Sequence, residues 1–171
     1  MTSFQDRIIR AATLDVNVYE EVEADKSATV QAVEVVIFAS IAAGIGSVAS
    51  VGIIGIFIGT IMALIGWLVW AYITYIIGVK LYPEPQTDSD YGELLRTMGF
   101  SSSPGMIRIL GIIPGFSGII FFLTGIWMLA AMVVAVRQAL DYESTFRAVV
   151  VCIVGWIIQG IVLAVFLAIF G

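Results

Sequence analysis

Long uncharged apolar runs alternate with short polar segments along this chain. Val35 to Val79 is 45 residues without one Asp, Glu, Lys or Arg. Ile109 to Val136 is a second such run of 28 residues, and Ala148 to Gly171 a third of 24. A helix that crosses a bilayer needs ~20 mostly apolar residues. The first run therefore holds two spans and each of the others about one. The boundaries predict spans at about 27–50, 53–79, 116–136 and 146–170, with Val51-Gly52 as the turn inside the first run.

A fifth span is expected over 91–113, where the hydropathy is weakest. Leu94, Leu95 and Met98 make an amphipathic start, with Ser89 or Asp90 placed to cap it. Ser101-Ser102-Ser103-Pro104-Gly105 then interrupts the pattern, and Pro104 removes a backbone donor. The segment reads as a kinked third span, with 91–101 lying at the interface as the alternative. Pro114-Gly115 is a turn signal before the next run.

The first 26 residues are polar but patterned. Phe4, Ile8 and Ala12 recur at helical spacing, and so do Leu14, Val18 and Val22. They predict two short amphipathic helices on the membrane surface or against the bundle. The expected organisation is an amphipathic cytoplasmic segment, 1–26, and a membrane domain, 27–171. The fold class is all-α, a polytopic membrane helical bundle of five transmembrane helices.

Composition agrees and narrows the chemistry. The chain is 60% apolar and 12% charged, with a mean hydropathy of +1.05. Soluble domains carry ~25% charged residues, so burial in lipid is required. There is no histidine and a single cysteine, Cys152, so neither the commonest general base nor an intrachain disulfide is available. The apolar run after residue 26 is too long for a signal-peptide core, and no cleavable signal is expected. A net charge of −5 without a basic patch excludes nucleic acid as a partner.

Lysine and arginine set the orientation. With five spans and a cytoplasmic N-terminus, Arg7, Arg10, Lys26, Lys80, Arg96, Arg137 and Arg147 all fall inside, and only Arg108 does not. The expected location is a membrane crossed several times, with the N-terminus on the cytoplasmic side.

Ionisable or polar groups within spans are candidates for function. These are Glu34, Arg108, Arg137 and Gln159. Glu34 and Arg137 fall at similar depth and are expected to pair, and Arg108 to snorkel to the outer headgroups. Helix packing is expected at Gly55-xxx-Gly59-xxx-Ala63 and at Gly160-xxx-Ala164-xxx-Ala168, with further small-residue stripes at Ala39, Ala43, Ser47 and at Ala42, Gly46, Ser50. Acids before the first span (Asp15, Glu20, Glu21, Glu23, Asp25) and in the second loop (Glu84, Asp88, Asp90, Glu93) predict an acidic cytoplasmic face. Asp88-x-Asp90-x-x-Glu93 lacks the rest of a calcium loop, so no metal is expected. No catalytic or cofactor motif is present.

Three stretches carry a family resemblance. The N-terminal region has Asp15, Tyr19 and Asp25, followed by Gln31-Ala32. The middle runs from Glu93 to Pro104. The most specific stretch runs from Ile126 through Arg137-Gln138-Ala139-Leu140-Asp141-Tyr142. In these the chain resembles the Yip family of Ypt-interacting membrane proteins, as a bacterial member. The resemblance implies five spans and a cytoplasmic N-terminus. Eukaryotic relatives are associated with Rab GTPases and vesicle traffic. The chain lacks their Asp-Leu-Tyr-Gly-Pro motif and has a short N-terminal region, so that role is not carried over.

The expected function is a non-enzymatic membrane scaffold or accessory subunit without cofactors, bound to the bilayer and to a membrane-protein partner or a second copy. The alternative is a small transporter or channel built on the four intramembrane polar groups, and a third is membrane shaping by interfacial helices.

Overall fold

The structure is a computed structural model that describes residues 2–170, and their side chains except at positions 163, 166, 167, 169 and 170. Four helical stretches are long and apolar enough to cross a membrane: Ala28–Gly46, Val48–Leu81, Ser117–Ala139 and, among the described residues, Thr145–Val162. We label the helices α1 (Phe4–Ala12), α2 (Val16–Ala24), α3 (Ala28–Gly46), α4 (Val48–Tyr75), α5 (Tyr91–Phe100), α6 (Ser117–Ala139) and α7 (Thr145–Phe170). Side chains such as Ile53, Ile54, Phe57 and Phe122 are about two-thirds to three-quarters exposed. Apolar surface on that scale is stable only against lipid.

The first apolar run divides where the sequence places its turn. α3 ends at Gly46, and Gly52 has φ 65° inside α4, a conformation open to glycine without a Cβ penalty. The ladder continues from α4 into a π-helical turn, Ile76–Leu81. Residues 113–116 form a turn, with Gly115 at φ 84°. The bundle thus has two ends. A far end holds the 47–52 and 113–116 turns. A polar end holds the N-terminus and the 82–90 and 140–144 loops.

Residues 91–113 are not one kinked helix. α5 starts with a capping box, in which Asp90 Oδ1 accepts from the Glu93 backbone N–H and Glu93 Oε2 accepts from the Asp90 N–H, both at 2.8 Å. It stops at Phe100. Ser101 and Ser103 donate their hydroxyls to the carbonyls of Met98 and Phe100 at 2.7 Å, which satisfies carbonyls a continuing helix would have used. Ten residues of 3-10 helix come next, Ser103–Ile112, with Pro104 in the first turn, where its missing N–H is harmless.

Small residues let this segment lie backbone to backbone on α3. A Cβ on Gly99 would meet Ala32 at 2.7 Å, and one on Gly105 would meet Ala39 at 3.1 Å. One on Gly46 would fall 1.9 Å from the carbonyl oxygen of Arg108, and one on Gly111 would fall 2.9 Å from the carbonyl oxygen of Gly46. Ala32, Ala39 and Gly46 are seven apart along α3, and Gly99, Gly105 and Gly111 are six apart on its neighbour. From Gly105 to Gly111 the segment is 3-10 helix and six residues rise ~12 Å, close to the ~10.5 Å of seven α-helical residues from Ala39 to Gly46, so the two registers stay in step there.

The N-terminal helices pack along the bundle from its polar end to the middle of α3 and α6. Val18, Tyr19 and Val22 are fully buried. The Trp127 indole N–H donates to the carbonyl of Ala12 at 2.7 Å, and the rings of Phe4 and Phe38 lie 6.4 Å apart.

Candidate functional site

Two places hold charge in contact with apolar structure, and they differ in kind. The first is the polar end. Arg7 is 7% exposed, and three partners surround it: Glu21 and Asp25 at 2.9 Å and the Gln31 side-chain oxygen at 2.8 Å. Arg10 beside it meets Asp15 at 2.7 Å and the other oxygen of Glu21 at 2.9 Å. Arg96, 5% exposed, reaches from α5 to the carbonyls of Val22 and Glu23, which end α2. It satisfies carbonyls that helix termini leave open.

The local electrostatics arise from these contacts. Burial works against the Arg7 charge, but the Glu21 and Asp25 contacts outweigh it and hold its pKa above the ordinary value. The Ser27 hydroxyl and Arg7 hold the Asp25 carboxyl below its usual range, and Arg10 does the same for Asp15. Glu23 goes the other way. Burial first, then the nearby Asp141 and Glu93 carboxylates, push it up to about 7.

The expected acidic face is in part neutralised from within. Asp15, Glu21 and Asp25 hold Arg7 and Arg10. Glu84 pairs with Arg147 at 3.2 Å and accepts from the Glu143 N–H at 2.9 Å. Asp90 and Glu93 are engaged in the capping box.

The second place is in the membrane half. Arg108 sits on the 3-10 segment with its guanidinium carbon 5.4 Å from the centre of the Phe121 ring. Its Nε is buried and has no hydrogen-bond partner. Arg108 and Met128 both border two clefts. One, of about 540 Å³, runs between α4, α6 and α7 past Trp70, Met132 and Trp156. The other, of about 330 Å³, runs between α3, α4 and α6 past Ala39, Ala43, Gly55 and Gly59.

The four intramembrane candidates do not converge on one cavity. Gln159 lines a separate cleft of about 370 Å³ with Gly66 and Trp67, although that cleft shares Trp70, Met132 and Trp156 with the larger Arg108 cleft. Arg137 donates to the carbonyls of Tyr142 at 3.1 Å and Glu143 at 3.2 Å, closing the loop after α6. Glu34 is half-buried on α3 and forms no ion pair among the described residues, so the expected Glu34–Arg137 pair is not made. Only Arg137 is satisfied by neighbouring carbonyls; Arg108 Nε and Gln159 Oε1 are buried without a hydrogen-bond partner among the described residues, and depth alone does not bring two side chains onto facing surfaces.

The glycines expected to pack helices behave differently from expectation too. Among the described residues, a Cβ on Gly55 would meet Val51 of its own helix, and one on Gly59 or Gly160 would meet nothing within 4 Å. Gly160 and Ala164 are both exposed. The close approaches fall at Gly46, Gly99, Gly105 and Gly111 instead.

Comparison with protein families decides the identity. The family described as the Yip1 domain matches residues 21–167. The chain belongs to the Yip1 domain family. No curated protein matches it, and no solved structure does. With its four apolar helices, the chain is a multi-pass membrane protein of that family.

The matched region begins inside α2. Glu21, Asp25 and Gln31 belong to the Yip1 domain, while Arg7 and Arg10 precede it. α1 therefore grips the domain by inserting two guanidinium groups among its acids. Pattern alone did not single out Arg7 or Arg96. Both look like interfacial cations in the sequence, and only the fold brings their partners from 14 or more residues away. The signal for the close-packed glycines was present, as the seven-residue spacing of Ala32, Ala39 and Gly46.

Proposed function

We propose that the chain is a non-enzymatic integral membrane scaffold or accessory subunit, working through helix–helix contacts and contacts at its polar end. The outer half of α7 carries this reading. Gly160 and Ala164 stand exposed, with open space around Gly160. Small side chains in a membrane helix let a second backbone approach closely, and no described helix of this chain takes that place. In this reading α7 presents the stripe to a partner membrane protein or a second copy.

The reading includes five crossings, a cytoplasmic N-terminus and a bacterial inner membrane. Support for the fifth crossing comes from the contacts along α3. The segment meets Ala32 through Gly99 and Gly46 through Gly111, so it travels with α3 over 14 residues, ~21 Å of helix rise. Support for the orientation comes from the basic residues, seven of whose eight positions lie toward the polar end. The transport alternative needs Glu34, Arg108, Arg137 and Gln159 in one wet path, and nothing in the geometry favours it.

The test is purification of the full chain in a mild detergent with mass spectrometry of what stays bound. The reading expects a defined protein neighbour or a stoichiometric homo-oligomer, lost on Gly160→Leu. A lone monomer under cross-linking and in mild detergent overturns it.

A further inference from the structure

Arg108 is a charge without a counter-charge. Arg7, Arg10 and Arg147 each meet a carboxylate within 4.0 Å, and Arg108 meets none among the described residues. No Asp, Glu or Lys lines either of its clefts. Its guanidinium faces the Phe121 ring, and its buried Nε lacks an acceptor among the described residues. A cation held in apolar surroundings is costly unless something neutralises it. A second donor is stranded at the same cleft. Trp70, 7% exposed, lines the larger cleft and leaves its indole N–H unpartnered.

The shape around the cation is equally specific. Two apolar clefts meet at Arg108 and Met128. Along α6 the larger borders Gly125 to Val133, eight residue steps or ~12 Å of rise. Along α3 the smaller borders Val36 to Gly44, eight residue steps or ~12 Å of rise. Both volumes lie in the ~300–1,000 Å³ range of small-molecule sites. The larger opens outward, where Leu129, Ile153 and Trp156 are exposed. α6 leaves room for the guanidinium at Gly125, where an added Cβ would lie 4.0 Å from Arg108 Nη2.

We propose that this is a binding site for one anionic diacyl phospholipid. The phosphodiester sits on the Arg108 guanidinium, whose planar donors match phosphate oxygens. One acyl chain lies in each cleft. The bilayer supplies the anion that the fold omits. The small residues Ala39, Ala43, Gly55 and Gly59 keep the second cleft open for a chain, which explains why they stripe two helices without packing against each other.

The experiment uses the full chain in a non-ionic detergent, titrated with dioleoylphosphatidylglycerol and read by native mass spectrometry. Dioleoylphosphatidylcholine, oleate and inorganic phosphate are the comparison probes. The expected result is saturable binding of one phosphatidylglycerol per chain, at least about tenfold tighter than phosphatidylcholine, which is ~1.4 kcal/mol. Arg108→Gln removes that preference, and Arg108→Lys keeps part of it. If Arg108→Gln does not give a monodisperse protein, Gly125→Leu fills the cleft beside an intact charge and is expected to lose the same tenfold. Equal binding of the two phospholipids, non-saturating uptake, or unchanged selectivity in a folded variant at either position overturns the proposal. So does oleate binding as tightly as phosphatidylglycerol, which removes the second chain. Displacement by equimolar inorganic phosphate overturns it as well, and so does a dimer that forms through the clefts and excludes the lipid.

Discussion

Arg7 and Arg108 are the same side chain in two halves of one molecule, and their surroundings are opposite. Arg7 is nearly buried and has two carboxylates and an amide oxygen around it. Arg108 has an aromatic face and an orphaned Nε. At the polar end the chain carries an excess of acids and can satisfy its own cations. The far half has no acid to offer, because a carboxylate there would need its own desolvation to be repaid. A fully saturated charge network is a structural clamp. An unsaturated charge beside a cavity is an unfinished interaction, and the missing partner must come from outside the chain.

The largest effect should come from the backbone contact that places Arg108. A Cβ on Gly46 would fall 1.9 Å from the Arg108 carbonyl oxygen, so Gly46→Ala forces two backbones apart. Overpacking against backbone with no soft side chain to yield should cost about 3 kcal/mol or more, read by thermal unfolding in detergent. If Gly46→Ala is neutral, the 3-10 segment does not lie backbone to backbone on α3, and Arg108 is placed by something else.

The clamp comes next. Arg7→Met keeps the apolar stem and leaves Glu21, Asp25 and Gln31 facing each other without a cation. Breaking a largely buried ion pair by removing one partner costs about 3–5 kcal/mol, and the roughly one-third exposure of Glu21 and Asp25 brings the expected loss to about 2 kcal/mol. The loss should be local, seen as faster amide exchange and proteolysis in α1 and α2 with α3, α6 and α7 unchanged. Uniform destabilisation would mean that the N-terminal helices are part of the membrane core, and the division into two halves would fail.

The sequence revealed much of the fold, for a physical reason. A bilayer enforces a length of apolar chain, so the helices at 28–46, 48–81, 117–139 and 145–162 can be read from uncharged runs alone. The amphipathic helices α1 and α2 and the turns at Gly52 and Pro114-Gly115 were legible from spacing and from glycine and proline. Residues 91–113 were not, because a proline beside three serines ends an α-helix without specifying the conformation beyond it. Ser101 and Ser103 chose a tighter helix by satisfying the carbonyls left behind. The site was only partly legible. Arg108 stood out as the lone cation of its half, but which cations are saturated depends on partners such as the Arg7–Asp25 pair, which no local pattern records. Glycine spacing alone did not locate the close backbone contacts: Gly55-xxx-Gly59 lines a cleft, whereas Gly99, Gly105 and Gly111 step by six residues along Ala32, Ala39 and Gly46, which step by seven.

A finer test of the polar end uses pH. Burial and the Asp141 and Glu93 carboxylates push Glu23 up to about 7, above its ordinary 4.5. The folded state therefore binds a proton that the unfolded state has already released between those values. Stability falls as pH rises through that window, and above it the full penalty for a charged Glu23 remains. Glu23→Gln removes the penalty. The variant should match the wild type at about pH 4 and gain about 1 kcal/mol at about pH 8, a figure reduced for the partial exposure of the carboxylate. A gain at both pH values would point to packing rather than charge. No gain at the higher pH would mean that Arg96, which opposes the shift, already neutralises the site.

The smallest effect is expected where the chain has nothing to lose. A Cβ at Gly160 would meet no atom of the described residues within 4 Å, so Gly160→Leu should change the stability of the isolated chain by less than about 0.5 kcal/mol. Gly99→Leu is the matched control, because its Cβ would press on Ala32 at 2.7 Å. The two glycines separate the two uses of small residues in a membrane helix. One is already filled by the chain's own backbone, and changing it damages the fold. The other is open, and changing it should be silent until a second helix arrives, when it should abolish co-purification of the partner. If Gly160→Leu is silent in both measurements, the stripe on α7 is only lipid-facing surface, and the contacts that make this chain a scaffold must lie at its polar end.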